Sequence, residues 1–345
     1  MDVRTVLEQV GPTAHRRRWV EELDRIGPPP EPPPVLSPDE TAGLLTRLTA
    51  PTDLIPALVA TRPSPSGDPV LWWLFERAHH RLTAGMGDDR TFAPSPDGTG
   101  PWGAWPELPG RLGDPGRSFA VHLFLAAVPA TRRWHESQGI DPQVSWDTLD
   151  AIGRHIHPHP ERPGVAHIPF PPWLVLHVRG GIFRLGRLEF QRAHLRWTDE
   201  QVAAAQCPVA PGEPVLDLHI PPTGPLTSEA VDDAFARARA FFSRHFPAHS
   251  GRWAVCSSWL LDPQLAEYLP PTTNIVRFQQ RFRRAPGRAH PDTDATVNFV
   301  FRRPLAELDD LPQETTLQRA IVAHIRARRS WDAHAGWCDL DERAT

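Results

Sequence analysis

Lysine is missing altogether: the 37 basic residues of this 345-residue chain are all arginine. That excludes a Schiff-base lysine, a pyridoxal-phosphate lysine and a phosphate-loop lysine. Any phosphate must be gripped by backbone N–H groups or by guanidinium. Tyrosine is reduced to Tyr268 alone, so phenolic acid–base chemistry has a single candidate. The three cysteines, Cys207, Cys256 and Cys338, fit no metal-binding spacing, and their odd count suits reduced thiols better than a disulfide framework. Long apolar runs are lacking too. The most apolar stretch, Phe119 to Ala130, contains His122 and Pro129 and is too short to span a bilayer. The opening MDVRTVLEQV has no apolar core of a signal peptide, so a cytoplasmic protein without membrane contact is expected. Nor is there a charge excess of one sign: 41 acidic residues against 37 basic give a net charge of −4, with no pull toward nucleic acid.

What the chain has in quantity is proline, 41 residues, together with 13 Trp and 15 Phe, enough aromatics for a large core. The length suits two domains or one large one. Up to about residue 160 the apolar spacing is helical. Val3, Val6, Leu7 and Val10 form one stripe, and Trp19, Val20, Leu23 and Ile26 another. GPPPEPPPVLSP (27–38) reads as a stiff connector, and Ser37, Pro38 and Glu40 then start a helix with a capping box. A Pro/Gly loop is expected from about Phe92 to Gly116, and a helix capped by Ser145 before residue 160.

From about Trp173 the pattern changes. WLVLHVRG (173–180) and GIFRLGRLEFQRAHL (181–195) predict two strands joined at Gly180–Gly181, and VLDLHI (215–220) a third. A helix from Ser228 to His245 and a strand RWAVCSSW (252–259) follow, then helical DPQLAEYL (262–269). TNIVRFQQRFRR (273–284) predicts a helix with Arg277, Arg281 and Arg284 on one face. ATVNFVFRR (295–303) predicts a strand, TTLQRAIVAHIRAR (315–328) a helix and WDAHAGWCDL (331–340) a last strand. The expected class is α+β: a helical N-terminal domain over 1–160, then a mixed β-sheet domain with flanking helices over 165–345.

The most informative segment is VLDLHIPPTGPLTSEA (215–230), a strand running through a Gly/Pro turn into a helix capped by Thr227. The free N–H groups and dipole of such a helix start can bind a phosphate, and Gly224 permits close approach. An ordinary capped strand–helix junction reads the same way, and Glu229, Asp232 and Asp233 in the opening turns disfavour an anion.

The order of elements resembles the C-terminal core of a GNAT-type acyltransferase. The local words LHVRGGIFRLGRLEFQR, HIPPTGPLT, CSSWLLDPQLAEYLP and NIVRFQQRFR resemble the actinobacterial acyltransferase domain-containing family, and so do GDPGRSFAVHLFLAAVPATRRWH (113–135) and SWDTLDAIGRH (145–155). That family joins a helical N-acyltransferase N-terminal domain to a GNAT-like C-terminal domain. The resemblance implies that Leu216, Leu218 and Ile220 lie along the pantetheine arm of an acyl donor. It also implies that Thr223, Gly224, Leu226 and Thr227 hold its phosphates, and that Asn274, Arg277 and Arg281 complete the cofactor site. The family's phosphate loop has two or three glycines, whereas this turn has one, and Pro222 and Pro225 remove two backbone donors. The donor is therefore either coenzyme A or an acyl carrier protein thioester, which carries a single phosphodiester.

Acyl transfer to an amine needs a base for the amine proton, donors for the oxyanion and an acid for the leaving thiolate. His219 is the candidate base, since the family pattern carries His where this chain has Ser257; a hydrogen-bonded strand histidine is the plain alternative. Ser257 and Ser258 face opposite sides of their strand, so one points into the cleft. Tyr268 is the candidate acid, or else a packed aromatic. HIHPHP (155–160) with His167 is rich in imidazole, but no carboxylate or Cys pattern completes a site, so no metal is expected. A serine hydrolase would need a GxSxG elbow, which is absent. The late arginines Arg277, Arg281, Arg283, Arg284, Arg288, Arg302 and Arg303 are either a solvated face, a grip on an adenosine 3′-phosphate or a dock for an acidic carrier protein. Trp72 and Trp73, and Trp102 and Trp105, read as core or loop anchors. The function expected is an acyltransferase acting from a thioester onto an amine of a small molecule or peptide. The alternative is a non-catalytic GNAT-like binding or scaffold protein.

Overall fold

The computed structural model describes residues 1–11, 13–88, 105–249 and 251–341, with Arg288 described by its backbone only. Trp102 and positions 92–104 of the expected Pro/Gly loop lie outside the described residues. The chain divides into two compact units, Met1–Phe183 and Arg184–Thr345, so the first unit runs past the domain boundary expected at 160–165.

The first unit is helical: α1 (Val3–Val10), α2 (Ala14–Ile26), α3 (Pro38–Arg47), α4 (Ile55–Ala60), α5 (Pro69–Thr83), α6 (Gly113–Arg117), α7 (Phe119–Ser137), α8 (Pro142–Leu149), α9 (Ala151–Arg154) and α10 (Pro171–Val178). A hairpin of β1 (His157–His159) and β2 (Arg162–His167) precedes α10. The starts follow local chemistry. Asp2 and Thr13 cap α1 and α2, and Ser37 and Glu40 form the expected capping box on α3. α7 is buried nearly all round (Val121, Leu123, Phe124, Leu125, Val128), which makes it the axis of the unit. Gly153 is where the backbones meet: a Cβ there would lie 1.8 Å from the Leu48 carbonyl oxygen. The histidine tract is the β-hairpin, with the His159 and His167 rings 4.9 Å apart. Among the described residues no group of His, Cys, Asp and Glu is arranged to hold a metal ion.

Arginine closes this unit as a carbonyl staple. Arg179, 2% exposed, donates from Nη1 to the carbonyls of Arg81, Leu82 and Ala84 (3.1, 3.0 and 2.6 Å) and from Nη2 to Gly85 (2.8 Å), just past the end of α5. A helix end leaves its last carbonyls without partners, and a planar fork of five donors can meet several at once. Burial lowers the Arg179 pKa to about 10. Arg111 does the same for α1, donating to Gln9 and Glu8.

The second unit comprises β3 (Ile182–Leu185, which begins just before the division), β4 (Leu188–His194), α11 (Asp199–Ala204), β5 (Pro214–His219), α12 (Ser228–His245), β6 (Trp253–Ser258), α13 (Asn274–Gln280), β7 (Arg283–Pro291), α14 (Thr293–Phe301), α15 (Thr316–Arg326) and β8 (Asp332–Asp339). The sheet order is β3-β4-β5-β6-β8-β7. β5 and β6 run parallel, while β4–β5, β6–β8 and β7–β8 run antiparallel, so the sheet is mixed.

Several expectations are corrected. The helix expected to be capped by Ser145 is α8, capped by Asp141, with Ser145 inside it and hydrogen-bonded to His135. WLVLHVRG is not a strand but α10. Pro171 and Pro172 occupy the first helical turn, where a missing N–H costs nothing, and the short apolar run fits either period. The hairpin turn therefore moves to Gly186–Arg187, with Gly186 at φ +69°. ATVNFVFRR is α14, ended by Arg302 in the left-handed conformation. The strand that replaces it is β7. Pro286 and Gly287 stop any helix continuing from α13, and a proline-bearing strand fits the sheet edge, where the register shifts between Arg284 and Ala289. Arg284 thus leaves the helix face it was expected to share with Arg277 and Arg281. DPQLAEYL is a 3₁₀ segment over Pro263–Glu267 rather than an α-helix.

Candidate active site

The site is built where β5 and β6 part. Their parallel ladder holds only at Leu216↔Ala254 and Asp217↔Val255, although β5 runs on to His219 and β6 to Ser258. Beyond that point a cleft of about 180 Å³ opens between them. Leu218, His219 and Ile220 form one wall and Cys256, Ser257, Ser258, Trp259 and Leu260 the other, with Asp292 and Phe299 from the start and middle of α14.

His219 stands at the end of β5, with Nε2 donating to Gln191 Oε1 at 3.0 Å. An amide oxygen accepts only, so this bond selects the tautomer with its lone pair on Nδ1. Gln191 is on β4, facing Asp217 in register, and is 7% exposed. Ser257 is exposed on the cleft wall. Ser258 is used locally: its Oγ accepts from the Leu260 N–H at 3.1 Å and caps a 3₁₀ turn. Burial first, and then Asp217 and Cys338 nearby, push the Cys256 thiol well above the ordinary range, so it is not a thiolate nucleophile.

The turn after β5 has the conformation its residues demand. Gly224 sits at φ +69° with no atom within 4 Å of where a Cβ would be, so its outer side is open. Thr227 Oγ1 accepts from Ala230 N–H and caps α12. The Thr223 N–H is taken by the Pro221 carbonyl at 2.8 Å. Donors left for an anion are the N–H groups of Gly224 and Leu226 and the first turn of α12. The carbonyls of the turn are held by Arg187 of the β3–β4 hairpin, which donates to Pro221 (2.8 Å), Gly224 (3.0 Å) and Pro225 (3.2 Å). Arg184 beside it donates to Thr223 Oγ1 at 2.9 Å. Burial, and next the neighbouring Arg184 charge, lower the Arg187 pKa to about 10. The buried Glu189 carboxylate nearby opposes that lowering.

Other expected residues fall elsewhere. The Arg281 side chain is 5% exposed and ion-paired to Asp232 at 2.7 Å, with a second bond to the Ser228 carbonyl, so it stitches the end of α13 to α12. Arg277 is exposed and Asn274 half-buried on α13. Tyr268 is not among the residues lining the cleft. Its hydroxyl donates to His324 Nδ1 at 3.0 Å, because His324 Nε2 donates to the Ser330 carbonyl. Tyr268→Phe is therefore expected to leave turnover unchanged within twofold and to lower stability by about 1 kcal/mol, the worth of one hydrogen bond. Steady-state rates and urea denaturation of the two proteins check this. Sequence reasoning missed Gln191, Arg184, Arg187, Asp292 and Phe299. Arg187 had a readable signal in its tight Gly-Arg turn between strands; Asp292 had none.

Two family models match. One, described as the N-acyltransferase N-terminal domain, covers residues 39–180, and the other, the GNAT-like C-terminal domain, covers 182–338. No curated protein matches. Among solved structures, an acyltransferase in complex with decanoyl-CoA is similar at a TM-score of 0.85, with 38% identity over 99% of this chain and 100% of that one. An acyltransferase in complex with decanoyl-CoA and teicoplanin, and an acyltransferase mutant with octanoyl-CoA, are each similar at a TM-score of 0.84, with the same identity and coverage. With two successive family models matched along it and full-length likeness to acyltransferases, the chain belongs to the N-acyltransferases that pair this N-terminal domain with a GNAT-like C-terminal domain, and it is a GNAT-type acyltransferase.

Proposed function

We propose that this protein transfers an acyl group from acyl-coenzyme A to an amine of a small-molecule or peptide acceptor. The observation that carries the reading is the parting of β5 from β6, with His219 at the mouth of the gap and the Gly224 turn at the head of α12. The pantetheine arm fits as a substitute strand, bonding to ladder groups that Leu218, Ile220 and Ser257 no longer give each other. Gly224, Leu226 and the start of α12 offer N–H donors to the pyrophosphate, and Arg184 and Arg187 supply the charge that lysine supplies elsewhere. His219 is the base: it takes a proton from the attacking amine, the N–C bond forms and the C–S bond breaks. Ser257 is the hydroxyl at hand for the leaving sulfur. The known complexes with octanoyl- and decanoyl-CoA favour a medium-chain donor, and the teicoplanin complex favours a peptide-borne amine as acceptor.

The test is thiol release from octanoyl- and decanoyl-CoA with a panel of primary amines, alongside calorimetric titration with coenzyme A. Transfer to an amine supports the reading; neither coenzyme A binding nor thiol release with any donor overturns it. Pro222 and Pro225 favour a second donor, a carrier-protein thioester, tested by acyl transfer from a loaded carrier protein. Arg187 is a positioning residue for the donor. Arg187→Met releases the turn carbonyls and removes a positive charge beside the donor's phosphates, so KM for acyl-CoA is expected to rise roughly tenfold with kcat little changed. KM for the matching acyl-pantetheine, which has no pyrophosphate, is expected to stay the same.

A further inference from the structure

The acyltransfer reading leaves open how the cleft tells one amine from another, and Asp292 carries an answer. Its backbone is pinned from both sides. The N–H donates to the Trp331 carbonyl at 2.9 Å, and its own carbonyl accepts from Thr296 N–H and Oγ1, both at 2.9 Å. It occupies the N-cap position of α14, where an aspartate ordinarily turns its carboxylate back onto the helix N–H groups. Here it does not: the cap has no side-chain hydrogen bond. Instead Asp292 lines the cleft with His219, Ser257 and Ser258. Among the described residues lining the cleft it is the one carboxylate, and no arginine is among them. The rest of the wall is apolar (Leu218, Ile220, Trp259, Leu260, Phe299) or neutral hydroxyl and thiol. Phe299 stands two turns along α14 from Asp292, on the same helix face.

Resting on the acyltransfer reading, we propose that the Asp292 carboxylate is the amine subsite, which binds the acceptor's primary ammonium and presents it to His219. A cleft with one negative group and no arginine attracts a cation and gives a substrate carboxylate nothing to pair with. The acceptor class is then a primary amine with no carboxylate on the adjacent carbon, rather than a free α-amino acid. Partial burial pushes the Asp292 carboxyl up from the ordinary value, with His290 opposing it. The protons balance. The bound ammonium gives one to His219, the free amine attacks the thioester carbon, and the N–C bond forms as C–S breaks. The nitrogen then sheds a second proton, and the thiolate takes one up, leaving one released to solvent.

The experiment compares wild type, Asp292→Asn and Asp292→Glu. Each is assayed with an aliphatic primary amine, with its α-carboxylated analogue, and with an aromatic amine that is uncharged at pH 7. Calorimetry with coenzyme A reports donor binding and folding. In Asp292→Asn the acceptor KM for the aliphatic ammonium is expected to rise roughly 10–100-fold, the loss of a charge-assisted hydrogen bond. KM for the aromatic amine and the coenzyme A affinity are expected to stay within twofold. Asp292→Glu is expected to recover part of the aliphatic KM, and wild type to prefer the amine without a carboxylate. An unchanged aliphatic KM in Asp292→Asn, or an equal rise for both amines, overturns the Asp292 assignment and leaves the acyltransfer reading standing. A wild type that transfers to no amine overturns both.

Discussion

His219→Ala is expected to lower kcat for amine acylation by roughly 10²–10⁴-fold, the span that a positioned general base contributes. Acyl-CoA binding should be unaffected, because in the proposed function the donor lies along Leu218, Ile220 and the parted strand edges rather than on the imidazole. The tautomer argument makes this sharper. Gln191 Oε1 accepts from Nε2 of His219, so Gln191→Leu, which keeps the shape but not the acceptor, lets the ring adopt the other tautomer. It should fall between wild type and His219→Ala in kcat with the same donor affinity. Stopped-assay rates at saturating donor and acceptor give the ordering. A His219→Ala protein with wild-type kcat would remove His219 from the chemistry and return the base to another cleft residue.

Trp331→Ala is expected to cost about 3–5 kcal/mol, since a fully buried indole leaves a cavity its neighbours cannot close. That is a large part of the roughly 5–15 kcal/mol that keeps a protein folded. The ring lies stacked on His324 at 4.0 Å and 28°, with Tyr268 at 6.0 Å. Its Nε1 donates to the Ile321 carbonyl at 3.4 Å. The melting temperature should fall by roughly 6–20 °C for a unit of this size. Scanning calorimetry measures it, and Trp331→Phe should recover much of the loss by refilling the space. The Trp331 carbonyl also fixes the Asp292 backbone, so the alanine protein is expected to show a raised acceptor KM well below its melting point.

The elements that border the cleft and the Gly224 turn were legible in the sequence because each carries a local signal. VLDLHI and RWAVCSSW alternate with period two, and Thr227 marks the start of α12, whose apolar stripe runs on to its last turn. The elements that were not legible share a physical reason. The runs at Pro171–Val178 and Thr293–Phe301 are short and apolar enough to satisfy either period, and burial on several sides decided for helix. β7, with Pro286 and Gly287, reads as a loop until a neighbouring strand supplies its partner. The same holds within the site. His219 and Ser257 could be found because their strands were found. Tyr268 was placed by following the chain, whereas its hydroxyl is claimed by His324 of α15, a partner nothing local announces. Asp292 lies between two elements that were both misassigned, so its place on the cleft wall emerged only with the tertiary fold.

The arginine staples have one consequence outside folding. Acyl thioesters acylate unprotonated side-chain amines without any catalyst, and lysine is the usual victim because a small fraction of it is neutral near pH 7. Here every cationic duty falls to guanidinium, from Arg179 at the end of α5 to Arg187 at the Gly224 turn. Both guanidiniums spend their N–H groups on backbone carbonyls, and their delocalised nitrogens offer an electrophile no localised lone pair. A chain that holds activated acyl groups beside its own surface thus presents them with no side-chain amine to attack, and its reagent is spared for the acceptor.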